Sequence, residues 1–108
     1  MKEYMILIVR ESKSVLSPEE SELCMMKYGE WAEKLGPKHL SGHRLEIEEG
    51  VLMSKNKEMI TDGPFAESKE LIAGISLIKA ETFDEATSIA KTCPLIDYFN
   101  LYVRTVYS

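Results

Sequence analysis

The sequence predicts a single α+β domain in which an antiparallel sheet carries two helices on one face. Three observations support this fold class. The segments alternate in the order strand, helix, strand, strand, helix, strand, which is a recurrent two-layer pattern. Both helices begin with recognisable capping residues. The chain has 108 residues, 44% of them hydrophobic, which fits one globular domain that buries its own core.

The first strand and the first helix have the clearest signals. Residues 4–9 form an uninterrupted apolar run, rich in β-branched and aromatic types, which is typical of a strand covered on both faces. Ser17 can cap a helix, Pro18 suits its first position, and Glu20 completes a capping box. The Gly-Pro pair at 36–37 predicts the end of this helix.

One face of the first helix is apolar. Cys24, Tyr28, Trp31 and Leu35 follow one another in steps of four, three and four residues, so they line one side of a helix. Residues 39–47 then carry a weaker strand pattern that a Ser-Gly pair interrupts.

The second half of the chain repeats the strand and helix signals. Short apolar pieces at 51–53 and 59–60, separated by turn residues, predict a small hairpin. Residues 71–80 predict the third main strand. Thr82 as cap and Glu85 three residues later predict the second helix, again through a capping box.

The last strand completes a ferredoxin-like βαββαβ arrangement. Residues 99–103 alternate between apolar and polar types, as a half-solvated strand does. Two helices cover only one face of such a sheet, yet the first and third strands are apolar on both faces. The uncovered face therefore predicts a homodimer, with two sheets facing each other or forming a shared barrel.

Composition argues against several classes of function. Thirteen basic and eighteen acidic residues give a net charge of -5 without any block of Lys or Arg, so we expect no nucleic-acid partner. No apolar run is long enough for a signal peptide or a membrane span, so we expect a cytoplasmic protein without membrane contact. Cys24 and Cys93 lack the spacing of a metal or redox motif. We expect no metal and no cofactor.

The most specific motif is the segment 61–70, which reads TDGPFAESKE. It resembles the signature of the DGPF branch of the YCII-related family. Further agreement lies in residues 1–8, 40–42, 83–86 and 90–94, so the resemblance covers essentially the whole chain. It implies a dimeric α+β barrel of ferredoxin-like topology. The wider superfamily includes small enzymes resembling muconolactone isomerase. DGPF proteins are also associated in some bacteria with alternative sigma factors, and this association implies a regulatory role as an alternative.

The chain departs from this family at one functional point. YCII proteins in the narrower sense carry a His on the first helix and an Asp just before a Pro after the second helix, proposed as an acid/base dyad. The corresponding positions here are Met25, or its neighbour, and Cys93. Neither residue can transfer a proton as that dyad would, so the resemblance implies no firm catalytic pair.

Asp62 in the motif has two interpretations. It could act as a general base or bind a polar group of a ligand, or its carboxylate could simply close an Asx-type turn with the following Gly-Pro. We include Asp62 with Phe65 and Glu67 as candidate ligand-binding residues beside this turn. For Glu67 and Lys69, a solvated, salt-bridged loop is the alternative.

His43 is the other candidate acid/base and a further ligand-binding candidate, because imidazole exchanges protons near neutral pH. It follows Ser41 and Gly42, where a close backbone approach would leave room for a ligand. Arg44 beside it could hold an anion, but neighbouring strand residues point to opposite faces. A surface role for His43 is the alternative. His39 follows a helix end, where a cation is favourable, and is a weaker candidate. Four residues separate the two histidines, a spacing that in a strand is too wide for one metal ion.

The aromatic stripe of the first helix also has two interpretations. Trp31, Tyr28 and Met25 could pack on the sheet or form the wall of a small-molecule pocket, and Trp31 is therefore a further ligand-binding candidate. The sequence thus predicts a small homodimer with a cleft for a small organic molecule. Two alternatives stay open: an isomerase- or lyase-like enzyme that uses His43 or Asp62, and a regulatory module that binds a transcription-control partner.

Overall fold

The computed structural model describes residues 1–11, 16–46, 50–61 and 70–108. The described residues form two helices, a four-stranded sheet and a separate two-stranded hairpin. The elements are, in chain order, β1 (Lys2–Glu11), α1 (Pro18–Leu35), β2 (His39–Arg44), β3 (Val51–Met53), β4 (Met59–Thr61), β5 (Glu70–Ala80), α2 (Phe83–Lys91) and β6 (Asn100–Thr105).

The main sheet has the strand order β2-β5-β1-β6, and every neighbouring pair is antiparallel. Strands β3 and β4 pair with each other as the expected hairpin. The two central strands, β5 and β1, carry the longest apolar runs of the sheet. The predicted ferredoxin-like α+β fold is confirmed.

The core lies between the sheet and the two helices. Tyr4 and Ile6 of β1 lie opposite Ile78 and Ser76 of β5 and face the helices, and all four are almost completely buried. Cys24 and Trp31 of α1 and two alanines of α2 pack on them. The spacing of the apolar residues in α1 therefore indicated its buried face correctly.

The N-terminus of α1 has the predicted capping box. The Ser17 hydroxyl accepts a hydrogen bond from the Glu20 amide at 3.1 Å, and the Ser17 amide donates to the Glu20 carboxylate at 3.0 Å. The helix ends at Gly36, whose φ of 57° lies in the left-handed region that favours glycine. A short 3₁₀ segment, Gly36–Lys38, then leads into β2.

The capping box predicted for α2 forms only in part. Thr82 accepts from the Glu85 amide at 3.1 Å, but the Glu85 carboxylate accepts from the Glu81 amide instead of the Thr82 amide. The reason is the ion pair that the same carboxylate makes with Lys38 at 2.8 Å. This ion pair links the 3₁₀ segment after α1 to the first turn of α2.

Element boundaries differ from the prediction in several places. Strand β1 is longer than the apolar run, because its polar ends still pair with β5. Strand β2 ends at Arg44, although the Leu45 amide still donates to the Ala73 carbonyl at 2.9 Å. A 3₁₀ segment, Pro94–Asp97, follows α2. Within the described part of the chain, no helix is both long and apolar enough to cross a membrane.

Candidate functional site

A cleft with a volume of about 330 Å³ opens between the N-terminal half of α1 and the end of the sheet. One wall is α1, from Pro18 to Tyr28, and the other is formed by β1, β2 and β5. The segment after α2 contributes Leu95 and Phe99. This volume lies at the lower end of the range of small-molecule sites, about 300–1,000 Å³.

The cleft lining is mainly apolar, with a few polar groups. Apolar contacts come from Ile8, Leu16, Met25, Leu45, Leu95 and Phe99. The polar groups include the Tyr28 side chain and two arginines, Arg10 and Arg44. An apolar cavity with a small number of placed polar groups is the usual form of a ligand site.

The Tyr28 hydroxyl is the centre of a partly buried hydrogen-bond network. It lies 2.8 Å from His39 Nε2 and 2.8 Å from Ser76 Oγ. Ser76 is only 1% exposed, so the tyrosine supplies the partner that its hydroxyl needs. The network joins α1, β2 and β5 at the wall of the cleft.

Gly42 makes room for this network. It lies opposite Ser76 on the neighbouring strand, on the face toward α1. A Cβ atom at position 42 would collide with the Tyr28 hydroxyl oxygen. The sequence indicated a close approach at this glycine, and the structure shows that the group approaching it is the Tyr28 side chain.

Burial keeps both ring systems of the network neutral. It raises the pKa of Tyr28, an effect that the hydrogen bond with Ser76 partly opposes. It lowers the pKa of His39 from 6.5. His39 was expected to be a favourable cation at a helix end, but its burial against Tyr28 and Trp31 disfavours the charged form.

Trp31 lies behind this network and not in the cleft lining. It is 7% exposed, and its indole Nε1 donates to Thr92 Oγ1 at 2.9 Å. Its ring centroid is 5.4 Å from that of Tyr28. Of the aromatic stripe, Tyr28 and Met25 line the cleft, whereas Trp31 supports Tyr28 from the core.

His43 and Arg44 both contribute to the lining, and both are exposed. His43 lies opposite Ile75, and Arg44 lies opposite Gly74. Because side chains alternate along a strand, the two residues project to opposite faces, as the sequence indicated. Arg44 is on the face of α1, opposite Gly74, where an added Cβ atom would lie 2.8 Å from the His43 carbonyl oxygen.

The remaining candidate residues, Asp62, Phe65 and Glu67, lie outside the described residues, as does the predicted turn that contains them. Among the described residues, no three His, Cys, Asp or Glu side chains lie close enough together to hold a metal ion.

Cysteine and methionine side chains occupy the positions that the resemblance to the family assigns to an acid/base dyad. Cys24 and Met25 line the cleft, and Cys93 is buried where α1 meets the segment after α2. Burial raises the pKa of the Cys24 thiol and raises that of Cys93 to about 11. Both thiols are therefore protonated at neutral pH and are poor bases.

Sequence reasoning missed the combination of Tyr28, His39 and Ser76. Each residue had an ordinary structural interpretation by itself. Tyr28 was part of the aromatic stripe of the first helix, His39 was a histidine after a helix end, and Ser76 was a serine in a strand. The available signal was a serine in an otherwise apolar central strand, since a buried hydroxyl requires a hydrogen-bond partner.

Comparisons with known proteins agree with the fold. A family model, the YCII-related domain, matches residues 3–107. Among solved structures, the fold is similar to that of 5-chloro-2-hydroxyhydroquinone dehydrochlorinase from Burkholderia phenoliruptrix AC1100, in complex with 2,5-dihydroxybenzoquinone. The TM-score is 0.53 at 14% identity, over 97% of this chain and 93% of that chain. The comparison with curated proteins gave no match. The chain belongs to the YCII-related family.

Proposed function

We propose that this protein binds a small organic molecule in the cleft between α1 and the sheet. The observation that carries the proposal is the cleft itself, a space of about 330 Å³ with apolar walls and the Tyr28 hydroxyl in one wall. A domain that served only as a protein-interaction module would have no need of such a space, because unfilled volume between core elements reduces stability.

Native mass spectrometry of the purified protein tests this proposal. We expect a ligand mass that is present under gentle ionisation and absent after denaturation. Ala73→Phe, which fills the cleft from β5, should abolish the additional mass. Ile72→Phe is the matched control, because the neighbouring Ile72 is 53% exposed and does not contribute to the lining. A ligand that remained bound to the Ala73→Phe variant would place the binding site elsewhere.

The Tyr28 network favours a second candidate function, an isomerase- or lyase-like proton transfer. In the isomerase form, the Tyr28 oxygen accepts a proton from a carbon of the ligand while its own proton passes to His39 Nε2. The reverse transfer returns a proton to a different carbon. His39 does not line the cleft, so it acts only through Tyr28. Its lowered pKa keeps it in the neutral, accepting form. His43 and Asp62 remain the alternatives that the sequence suggested.

Exchange of carbon-bound protons tests this second candidate. Phenylpyruvate in D₂O is a suitable probe, since it has a ring-sized apolar body and an enolisable carbon. We expect the protein to accelerate loss of its C3 proton signal, and Tyr28→Phe and His39→Gln to remove the acceleration. If His43→Gln alone removes it, the exposed histidine is the base instead of the network.

We also propose that the protein is a homodimer, with the open face of the sheet as its interface. Leu7 at the centre of this face lies between Ile75 and Tyr102 on the adjacent strands, and Met5 lies beside Leu77. Tyr102 is 50% exposed in the single chain. An apolar surface of this kind is typical of a contact with another protein molecule.

Light scattering coupled to size-exclusion chromatography measures the mass of the assembly. The Tyr102→Lys variant should shift the dimer toward the monomer, because it introduces a charge into the apolar face. Met26→Lys, at an exposed position on α1, should leave the mass unchanged. A wild-type protein that runs as a monomer would contradict the dimer.

Two finer assignments complete the proposal. Segment 61–70 supports membership in the DGPF branch of the family. The two cysteines, which are buried and free, support a reducing, cytoplasmic location. A regulatory role with a transcription partner remains the third alternative, and the cleft favours the ligand-binding role over it.

A further inference from the structure

We infer that the cleft selects organic anions, such as carboxylates, that carry an apolar body of about the size of an aromatic ring. This inference rests on the proposed function of the cleft and adds the chemical class of its ligand.

The first observation is the sign of the charges around the cleft. The chain as a whole has a net charge of -5, yet the exposed charged group in the described lining is a cation, the guanidinium of Arg44. A cavity whose walls carry charge of one sign concentrates the electric field within it. The charge that the described part of the cleft wall presents to a ligand is therefore opposite in sign to the net charge of the chain.

The second observation is that both arginines project from the sheet on the same face. Arg10 lies two residues beyond Ile8 on β1, and Arg44 lies opposite Gly74 on β5, which in turn lies opposite Ile8. Residues two apart on a strand, and residues directly opposite on paired strands, share one face. Both guanidinium groups therefore lie on the side of α1, where the cleft is.

The third observation is the difference in burial between the two arginines. Arg10 is 5% exposed and belongs to the protein interior, where it also donates to the Glu11 carbonyl at 3.4 Å. Arg44 is exposed at the edge strand. Its guanidinium can therefore meet an incoming anion without losing an internal contact, and its planar fork suits a carboxylate.

The remaining walls determine the rest of the ligand. Ile8, Leu95 and Phe99 offer apolar surface, so the body of the ligand gains by leaving water. The volume of about 330 Å³ accommodates one or two fused rings. A small inorganic anion would leave these walls uncovered and would bind weakly.

Calorimetric titration with 2-naphthoate and with 2-naphthamide tests the inference, because the two probes have the same shape and differ in charge. We expect naphthoate to bind about ten-fold more tightly than the neutral amide, as one charge-assisted contact allows. Its affinity should fall when the salt concentration is raised.

Arg44→Gln is the informative variant. We expect it to remove most of the preference for naphthoate and to leave the amide affinity unchanged. Arg104→Gln is the matched control, since it makes the same charge change at an exposed residue that lies opposite Met5 on the other face of the sheet. The exposed position of Arg44 means that its loss should not affect folding, whereas a variant of the buried Arg10 could unfold the chain.

The outcomes separate this inference from the proposed function. If both probes bind with equal affinity, or if Arg104→Gln weakens naphthoate as much as Arg44→Gln does, anion selection is wrong and the cleft remains a ligand site. If neither probe binds to a folded protein at millimolar concentration, the inference and the proposed function are both overturned.

Discussion

Removing the Tyr28 hydroxyl should show how much its hydrogen bonds to His39 and Ser76 stabilise the packing of α1 on the sheet. The Tyr28→Phe variant keeps the ring and its packing against Trp31. It deletes two hydrogen bonds of 2.8 Å, to His39 and to Ser76. Any change in the free energy of unfolding therefore comes from the lost hydrogen bonds and not from lost side-chain volume.

The expected magnitude follows from the burial of the partners. Ser76 is 1% exposed, so its hydroxyl would lose its partner in a place that water does not reach. Leaving a buried hydroxyl unsatisfied costs about 1–3 kcal/mol. The half-buried His39 can recover a hydrogen bond to solvent water. We expect Tyr28→Phe to lower the free energy of unfolding by about 2 kcal/mol.

A double-mutant cycle isolates the contact between Tyr28 and Ser76. Ser76→Ala should cost about 1 kcal/mol, because Tyr28 keeps its bond to His39. The double variant lacks an orphaned serine and should cost about 2 kcal/mol, which is about 1 kcal/mol less than the sum of the single variants.

Urea unfolding followed by fluorescence measures these values, since Trp31 is the only tryptophan and is buried. Equal slopes with urea would show that all variants unfold to comparable states. Tyr98→Phe is the control, because Tyr98 packs on the core and its hydroxyl has no hydrogen bond among the described residues. If Tyr28→Phe costs less than about 0.5 kcal/mol, or if the two single effects simply add, the network does not hold the elements together.

Three further predictions concern single positions. Gly42→Ala should lower the free energy of unfolding by about 1–3 kcal/mol, because the new methyl group displaces the Tyr28 hydroxyl. Gly29→Ala is the control in the same urea assay and should be neutral or stabilising, because Gly29 faces open space on α1. Burial lowers the pKa of His39 in the folded state from its usual value of 6.5, so the unfolded chain binds the proton more readily. The stability that the protein has above pH 6.5 should therefore be lost as the pH falls through the lower pKa of the folded state. The melting temperature of the His39→Gln variant should depend less on pH over this acidic range than that of the wild type. Cys93, which is 1% exposed and lies outside the cleft lining, should react with Ellman's reagent only after unfolding, because burial raises the pKa of its thiol to about 11, and fast labelling of two thiols per native chain would contradict its placement.

Most of the fold was predictable because the signals for its elements are local. The capping box at Ser17 and Glu20 depends on neighbouring backbone groups, and the structure has the bonds that the spacing requires. The box predicted at Thr82 formed only in part, because the Glu85 carboxylate pairs with Lys38, a residue distant in sequence. Local patterns do not show which distant group competes for a side chain.

The candidate site was less predictable for the same reason. The sequence offered a cleft wall on α1 as one of two interpretations of its aromatic stripe, and it indicated close approach at Gly42, where the structure places the Tyr28 hydroxyl. It did not indicate that Tyr28 reaches Ser76, because that contact depends on the pairing of β2 with β5. Trp31 has the same helical spacing as Tyr28, yet it faces the core beside Thr92 instead of the cleft. Periodicity identifies the buried face of a helix but not which of its residues borders a cavity.

The central claim, that the cleft is a ligand site, is tested most directly by locating a bound probe. Amide chemical shifts of the ¹⁵N-labelled protein should be recorded during titration with 2-naphthoate. We expect the largest changes in the first half of α1 and at Gly42, Arg44 and Gly74, where the cleft wall is. Changes confined to Met5 and Leu7 on the open face, or no saturable change at all, would contradict the account.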